Sequence, residues 1–123
     1  MFKSVRILKG EHRSEEYAKI NPAKLIPAIK DGDFLLAESH AIMRYICGSR
    51  NLPSNWYPSD PKKRALVDQY LDWHHTNLRQ GVAGQVFKTV FGPMMGMKYT
   101  KEEVDVHKQQ FSKSMRRMES WLS

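Results

Sequence analysis

The sequence contains few of the features that fix a covalently linked or membrane-bound structure. Its single cysteine, Cys47, cannot form an internal disulfide or a CxxC redox or zinc motif. No apolar run approaches the roughly 18 residues that a membrane helix requires, and the first residues do not resemble a secretory signal. We therefore expect a cytoplasmic protein with no membrane partner.

Blocks of like charge are also missing. The chain carries 20 Lys and Arg against 13 Asp and Glu, a formal net charge of +7, but the basic residues are scattered among the acids. Binding to nucleic acid would favour a basic patch or stripe, so we expect no nucleic-acid partner. The positive excess suits a small anionic ligand instead.

The composition is that of a folded protein, with 41% hydrophobic and 11% aromatic residues. The first part of the chain predicts short strands and a hairpin. Val5–Leu8 is β-branched and alternates weakly, which favours a strand. Ser14 predicts a helix cap, and Pro22 ends that helix. Two apolar runs flank Asp31-Gly32, which is a strong hairpin signal. The expected strands of this hairpin are Ala28–Lys30 and Phe34–Leu36.

From Ser39 onward the apolar spacing becomes helical. The expected apolar face consists of Ala41, Ile42, Tyr45 and Ile46. Cys47 follows this face, and we expect it to be buried and inert. The stretch from Pro53 to Asp60 contains Trp56 and Tyr57 and is typical of a linker held by its aromatic residues.

Two long helices are expected after the linker. The first begins at Pro61, a favoured first-turn position. The second begins at a capping box formed by Thr100 and Glu103 and runs essentially to the last residue. The expected apolar residues are Leu66, Tyr70 and Trp73 in the first helix and Val104, His107, Phe111, Met115, Met118 and Leu122 in the second.

In combination, these motifs make the chain resemble the theta class of glutathione transferases. The motifs are Lys9-Gly10-Glu11-His12, Asn21-Pro22, Lys24-Leu25-Ile26-Pro27-Ala28, Lys30-Asp31-Gly32-Asp33-Phe34, Glu38-Ser39-His40-Ala41-Ile42, Trp56-Tyr57-Pro58-Ser59-Asp60 and Trp73-His74-His75-Thr76-Asn77-Leu78-Arg79. The resemblance implies an α/β thioredoxin-like N-terminal part with an incomplete sheet, over residues 1–52. It implies a linker at 53–60 and an incomplete all-α C-terminal part at 61–123.

The resemblance also implies a site for glutathione as co-substrate, with no other cofactor and no metal. His12 and Lys24 match positions that meet the glycyl end of glutathione. Leu25, Ile26 and Pro27 match the loop that pairs with the cysteinyl backbone, in which the proline is cis. Glu38 and Ser39 match the pair that recognises the γ-glutamyl group. The other partners implied are an electrophilic small molecule and, in a homodimer, a second copy of the chain.

Each of these assignments has a simpler structural alternative. Ser39 can serve only as a helix cap, with Glu38 as a first-turn acid. Arg79 matches an arginine that reaches toward the sulfur of glutathione, but it can equally be a surface arginine favoured by a helix C-terminus. His74 and His75 project in different directions on a helix, so packing is a simpler role for them than metal binding.

The family begins with a strand and a helix before the equivalent of Val5, and the activating serine follows that strand. It also continues through further helices after the equivalent of Leu122. We therefore expect this chain to lack the catalytic serine and to fold marginally. Two functions stay open: conjugation of glutathione to electrophiles or reduction of peroxides, as in the intact family, and a non-catalytic transferase-like interaction module.

The first prediction concerns turnover by the 123-residue chain. We expect it to conjugate glutathione to an aromatic electrophile slowly or not at all, because no residue matches the serine that would stabilise the thiolate. The measurement is the conjugation rate compared with a full-length relative. A comparable rate in the two proteins would refute the prediction.

Overall fold

The computed structural model describes residues 2–123. It divides the chain into two compact units, Met1–Pro61 and Lys62–Ser123. The stretch expected to form a linker, residues 53–60, lies within the first unit and consists of turns and irregular backbone. Within residues 2–123, no helix combines the length and the apolar character needed to cross a bilayer.

The first unit contains one hairpin, two α-helices and two short 3₁₀ turns. In chain order these are the 3₁₀ turns Ile7–Lys9 and Glu11–Arg13, then α1 (Glu15–Ala18), β1 (Ala28–Asp31), β2 (Phe34–Ala37) and α2 (Ser39–Ser49). The strands β1 and β2 form a two-stranded sheet. This is the incomplete thioredoxin-like sheet that the sequence predicts.

The predicted strand at Val5–Leu8 is wrong. A strand needs a neighbour to accept and donate its backbone hydrogen bonds, and within residues 2–123 the strands β1 and β2 pair only with each other. The segment instead closes local bonds, in which the Gly10 amide donates to the Ile7 carbonyl at 2.8 Å. Gly10 has a φ of 71° and ends the turn in a conformation that favours glycine.

The predicted hairpin is confirmed, and its register is set by a two-residue loop. Ala28 pairs with Ala37, and Asp31 pairs with Phe34, which leaves Gly32 and Asp33 as the loop. Gly32 has a φ of 61°, as such tight loops require. The turn is therefore one residue later than the sequence signal at Asp31-Gly32.

The loop before β1 is held by two side chains that converge on one carbonyl. The Tyr17 hydroxyl and the Asn21 side-chain amide both donate to the Leu25 carbonyl oxygen, at 2.8 Å and 2.7 Å. The Asn21 side-chain oxygen also accepts from the Ala23 amide at 3.1 Å. Tyr17 and Asn21 are only 9% and 5% exposed, and burial raises the pKa of the Tyr17 hydroxyl. These contacts fix the chain that leads into β1.

The other end of the hairpin is tied to α2. The Asp31 carboxylate accepts from the Tyr45 hydroxyl and from the Arg50 guanidinium, both at 2.7 Å. These hydrogen bonds lower the pKa of the Asp31 carboxyl. The Phe34 ring packs against the Tyr45 ring at a centroid distance of 5.0 Å. The hairpin and α2 are thus joined by polar and aromatic contacts at one corner.

The apolar face predicted for α2 is only partly buried. Ile42 is buried, but Ile46 is 38% exposed. Cys47 is half-buried, so the expectation that it is buried is wrong. Because a short helix over two strands covers only one row of side chains, the neighbouring rows stay in contact with water.

The second unit is entirely helical. It contains α3 (Pro61–Thr76, whose first residue closes the first unit), α4 (Leu78–Val86), a π-helical segment at Phe87–Phe91, α5 (Gly92–Met94) and α6 (Lys101–Leu122). Helical backbone continues through Gly92-Pro93 to Met94, and the chain turns at Gly96, whose φ is 79°. Pro93 is accommodated within the first turn of α5. The predicted capping box of Thr100 and Glu103 is confirmed.

Glycines bring α4 and α6 close together. A Cβ atom on Gly81 would lie 2.6 Å from the Phe111 backbone nitrogen, and one on Gly84 would overlap the His107 ring. Ser114, only 2% exposed, is the most buried residue of α6. The apolar residues predicted for this helix include Met115, which is 38% exposed. The buried position is therefore one residue earlier than predicted. Two further predicted core residues, Leu66 and Leu122, are 68% and 82% exposed.

The second prediction concerns the loop clamp. Tyr17→Phe is expected to lower the free energy of unfolding by about 1 kcal/mol, because it removes one hydrogen bond to the Leu25 carbonyl. Asn21→Ala removes two hydrogen bonds and should cost about 1–3 kcal/mol. The measurements are urea unfolding and hydrogen exchange of the Ala23 amide, which should exchange faster in the Asn21 variant.

As a matched control, Tyr99→Phe removes a hydroxyl whose hydrogen bond is to the Met97 thioether. Equal effects of the two tyrosine changes would contradict the clamp.

The third prediction concerns the approach of α4 to α6. Gly81→Ala is expected to lower the free energy of unfolding by about 1–3 kcal/mol, since the backbone must shift to admit the new methyl group. Gly48→Ala is the control, because a Cβ at this α2 position meets no atom within 4 Å. It should be neutral or should stabilise by up to about 1 kcal/mol. Chemical denaturation measures both variants, and an equal response from the two would rule out close helix packing as the cause.

Candidate functional site

The hairpin register brings the two predicted halves of the site to one end of the sheet. Ala28, the first residue of β1, pairs with Ala37, the last residue of β2. Pro27 and Glu38 are the next residues outward on each strand. Because paired antiparallel residues have Cα atoms about 4.5–5.5 Å apart, the proline loop and the entrance of α2 lie side by side.

The entrance of α2 presents an acid and a hydroxyl. Glu38 has a φ of 72°, an uncommon conformation for a residue with a side chain, and its side chain makes no capping hydrogen bond. Glu38 occupies the N-cap position and Ser39 is the first helical residue, so the alternative that Ser39 serves as the cap is wrong. Glu38 is exposed and Ser39 is half-buried. The carboxylate, the hydroxyl and the first amides of the helix are therefore available to a ligand.

The proline loop presents free backbone. The Ile26–Pro27 peptide bond is cis. Within the described chain, no hydrogen bond engages the backbone of Ile26, whereas the Leu25 carbonyl is used by Tyr17 and Asn21. Leu25 and Ile26 are 59% and 38% exposed. An extended peptide could pair with this backbone as it pairs with a strand edge.

Lys24 and His12 belong to the same unit but are placed differently. Lys24 has a φ of 56°, and its ammonium pairs with the Glu15 carboxylate at 2.8 Å. This hydrogen bond lowers the pKa of Glu15. His12 lies in the 3₁₀ turn Glu11–Arg13 and is half-buried. Its Nδ1 atom is buried without a hydrogen-bond partner among the described residues.

Arg79 lies in the second unit, where it is exposed in the first turn of α4. The alternative that a helix C-terminus favours it does not fit that position. His74 is half-buried in α3, and burial lowers its pKa. In the part of the chain that the structure describes, no three His, Cys, Asp or Glu side chains are grouped as metal ligands.

Sequence reasoning missed the residues that support this site. Tyr17 and Asn21 hold the Leu25 carbonyl, and Asp31 holds α2 through Tyr45 and Arg50. Nothing in the local sequence pairs Tyr17 with a carbonyl eight residues later. The one available signal was a large aromatic residue, Tyr17, in a short helix that is otherwise made of two acids and an alanine.

Comparison with known proteins finds relatives that share one family. The family model described as the glutathione S-transferase N-terminal domain matches residues 2–48. Glutathione S-transferase T1 of Arabidopsis thaliana is 40% identical over 120 residues, which cover 96% of this chain and 49% of that protein. Human glutathione S-transferase theta-1 is 44% identical over 90 residues, which cover 73% of this chain and 38% of that protein.

Solved structures show the same fold. Human glutathione transferase theta-2, crystallised with glutathione and an unknown ligand, superposes with a TM-score of 0.88 at 36% sequence identity. The match covers 93% of this chain and 47% of that one. The chain thus spans about half the length of the curated relatives that it matches. With its thioredoxin-like hairpin, its helical second unit and these relatives, the chain belongs to the glutathione S-transferase family, in which it is similar to the theta class.

Proposed function

We propose that the first unit binds glutathione and that the intact protein transfers glutathione to electrophiles or reduces peroxides in the cytoplasm. The single observation that carries the proposal is the pairing of Ala28 with Ala37. Through this pair, the free backbone of Ile26 and the polar entrance of α2 face a ligand from the same end of the hairpin. Glutathione needs such a pair of features, because it has a peptide backbone and a charged amino-acid end.

The entrance of α2 suits the γ-glutamyl end. Glu38 supplies a carboxylate for the ligand ammonium, since its side chain is exposed and makes no capping bond. The Ser39 hydroxyl and the amides of the first turn favour the neighbouring ligand carboxylate, as helix N-termini favour anions. The opposite charges of a zwitterion are thus met by adjacent residues.

The proline loop suits the middle and the far end of the peptide. The Ile26 backbone can exchange hydrogen bonds with the cysteinyl unit, and this leaves the thiol outside the pairing. Lys24 is available to the glycyl carboxylate, because its pair with Glu15 is exposed and such pairs contribute little. The Nδ1 of His12 is buried without a partner, so the other ring nitrogen is the one that can serve the same carboxylate.

The remaining assignments rest on the family resemblance. Arg79 is proposed to stabilise the thiolate or an anionic product. The electrophile and a homodimer are proposed for the intact protein, in which an activating serine would lower the pKa of the thiol.

The fourth prediction tests the contact between Glu38 and the ligand ammonium. Glu38→Gln is expected to weaken glutathione binding about tenfold, because it removes a charge-assisted hydrogen bond. It should leave binding of deamino-glutathione, which lacks the ammonium, unchanged. Isothermal titration of the 123-residue chain measures the four combinations.

Two controls make this test specific. Glu119→Gln changes the same chemistry on an exposed α6 position, and it should leave both affinities unchanged. An equal loss for glutathione and for its deamino analogue would show that Glu38 does not meet the ammonium. Absence of glutathione binding in the unaltered chain would remove the proposal and favour the interaction module.

A further inference from the structure

The second unit contains a cavity whose lining includes none of the residues proposed to bind glutathione. It has a volume of about 260 Å³ and is formed by α3, α6 and the N-cap residue of α4. The lining residues are Trp73, Asn77, Gln110, Lys113, Ser114 and Arg117. They all belong to one compact unit, so the cavity is a property of that unit by itself.

The inner wall of the cavity is polar. Ser114 lines the cavity although it is only 2% exposed, so its hydroxyl lies deep between the helices. Asn77 is fixed beside it, because its side-chain amide donates to the Trp73 carbonyl at 3.1 Å. Gln110 donates to the Asn77 side-chain oxygen at 3.5 Å. The Ser114 hydroxyl and the second amide hydrogen of Gln110 remain able to hydrogen-bond an occupant.

The rim of the cavity is cationic. Lys113 and Arg117 are four residues apart on α6, and none of the six lining residues is an acid. Among the residues that the structure describes, no ion pair engages either side chain. Like charges at this spacing repel each other on a helix. An anion between them would remove that repulsion and accept hydrogen bonds from both.

One wall of the cavity is aromatic. The Trp73 ring meets the Trp121 ring edge to face at a centroid distance of 4.8 Å, and the Tyr70 ring lies 6.1 Å away. These contacts hold the indole of Trp73 in place. A fixed indole offers a planar ligand a large apolar surface at a low entropic cost.

We propose that this cavity binds a small planar aromatic carboxylate. The ring of the ligand packs against Trp73, and its carboxylate lies between Lys113 and Arg117. The Ser114 hydroxyl and the Gln110 amide supply further donors. The assignment does not depend on glutathione binding, because no residue of the hairpin end takes part.

The fifth prediction uses 2-naphthoate as the probe and the neutral 2-naphthamide as its isostere. We expect 2-naphthoate to bind the 123-residue chain saturably at one site, and 2-naphthamide to bind at least about tenfold more weakly, because charge-assisted hydrogen bonds are lost. Lys113→Gln and Arg117→Gln should each weaken 2-naphthoate binding about tenfold for the same reason. Isothermal titration measures affinity, and the indole N–H resonance of Trp73 reports the location.

Arg116→Gln is the matched control, since this neighbouring arginine does not line the cavity. It should leave the affinity for 2-naphthoate unchanged. Lys113, Arg116 and Arg117 are all exposed, so circular dichroism should show the same fold in every variant. Equal losses of affinity in Arg116→Gln and Arg117→Gln would show that the overall positive charge, and not the cavity, attracts 2-naphthoate. Equal affinity for the acid and the amide, or no saturable binding, would overturn the site.

Discussion

The pairing of β1 with β2 is the interaction on which the candidate site depends. Four residue pairs from Ala28–Ala37 to Asp31–Phe34 fix the register. A slip of one residue would invert the faces of one strand and would separate the proline loop from the entrance of α2. Backbone pairing therefore determines which residues lie together at the candidate site.

Side chains that are not expected to bind the ligand stabilise both ends of the hairpin. At the loop end, Asp31 accepts from Tyr45 and Arg50, and this fixes α2 against the hairpin. At the other end, Tyr17 and Asn21 hold the Leu25 carbonyl. The Ile26 backbone and the Glu38 side chain are thus left free because other residues carry the structural contacts.

The sequence predicted the elements whose signals are local. The hairpin at Asp31-Gly32 and the capping box at Thr100 depend on a few adjacent residues, and both are confirmed. Val5–Leu8 was predicted wrongly because a strand needs a partner strand, and within residues 2–123 β1 and β2 pair only with each other. The apolar spacing predicted that Met115 is buried, whereas the buried residue is Ser114. Hydrophobic spacing within one helix does not show where glycines on another helix let the two backbones approach. The hydrogen bond from Tyr17 to the Leu25 carbonyl could not be predicted either, because it joins residues that lie in different local motifs. The binding roles of Glu38 and Lys24 stay predictions.

Stability and ligand binding are linked in the first unit. Across residues 2–123, Tyr17 and Ile42 are the only apolar side chains that are buried. With so little apolar surface removed from water, the unit depends on the polar contacts at Leu25 and Asp31, and these contacts also shape the site. A ligand that binds only the folded unit stabilises it by mass action. Glutathione at the hairpin end would therefore add to the same small set of interactions that orders the loop, so that occupancy and folding reinforce each other.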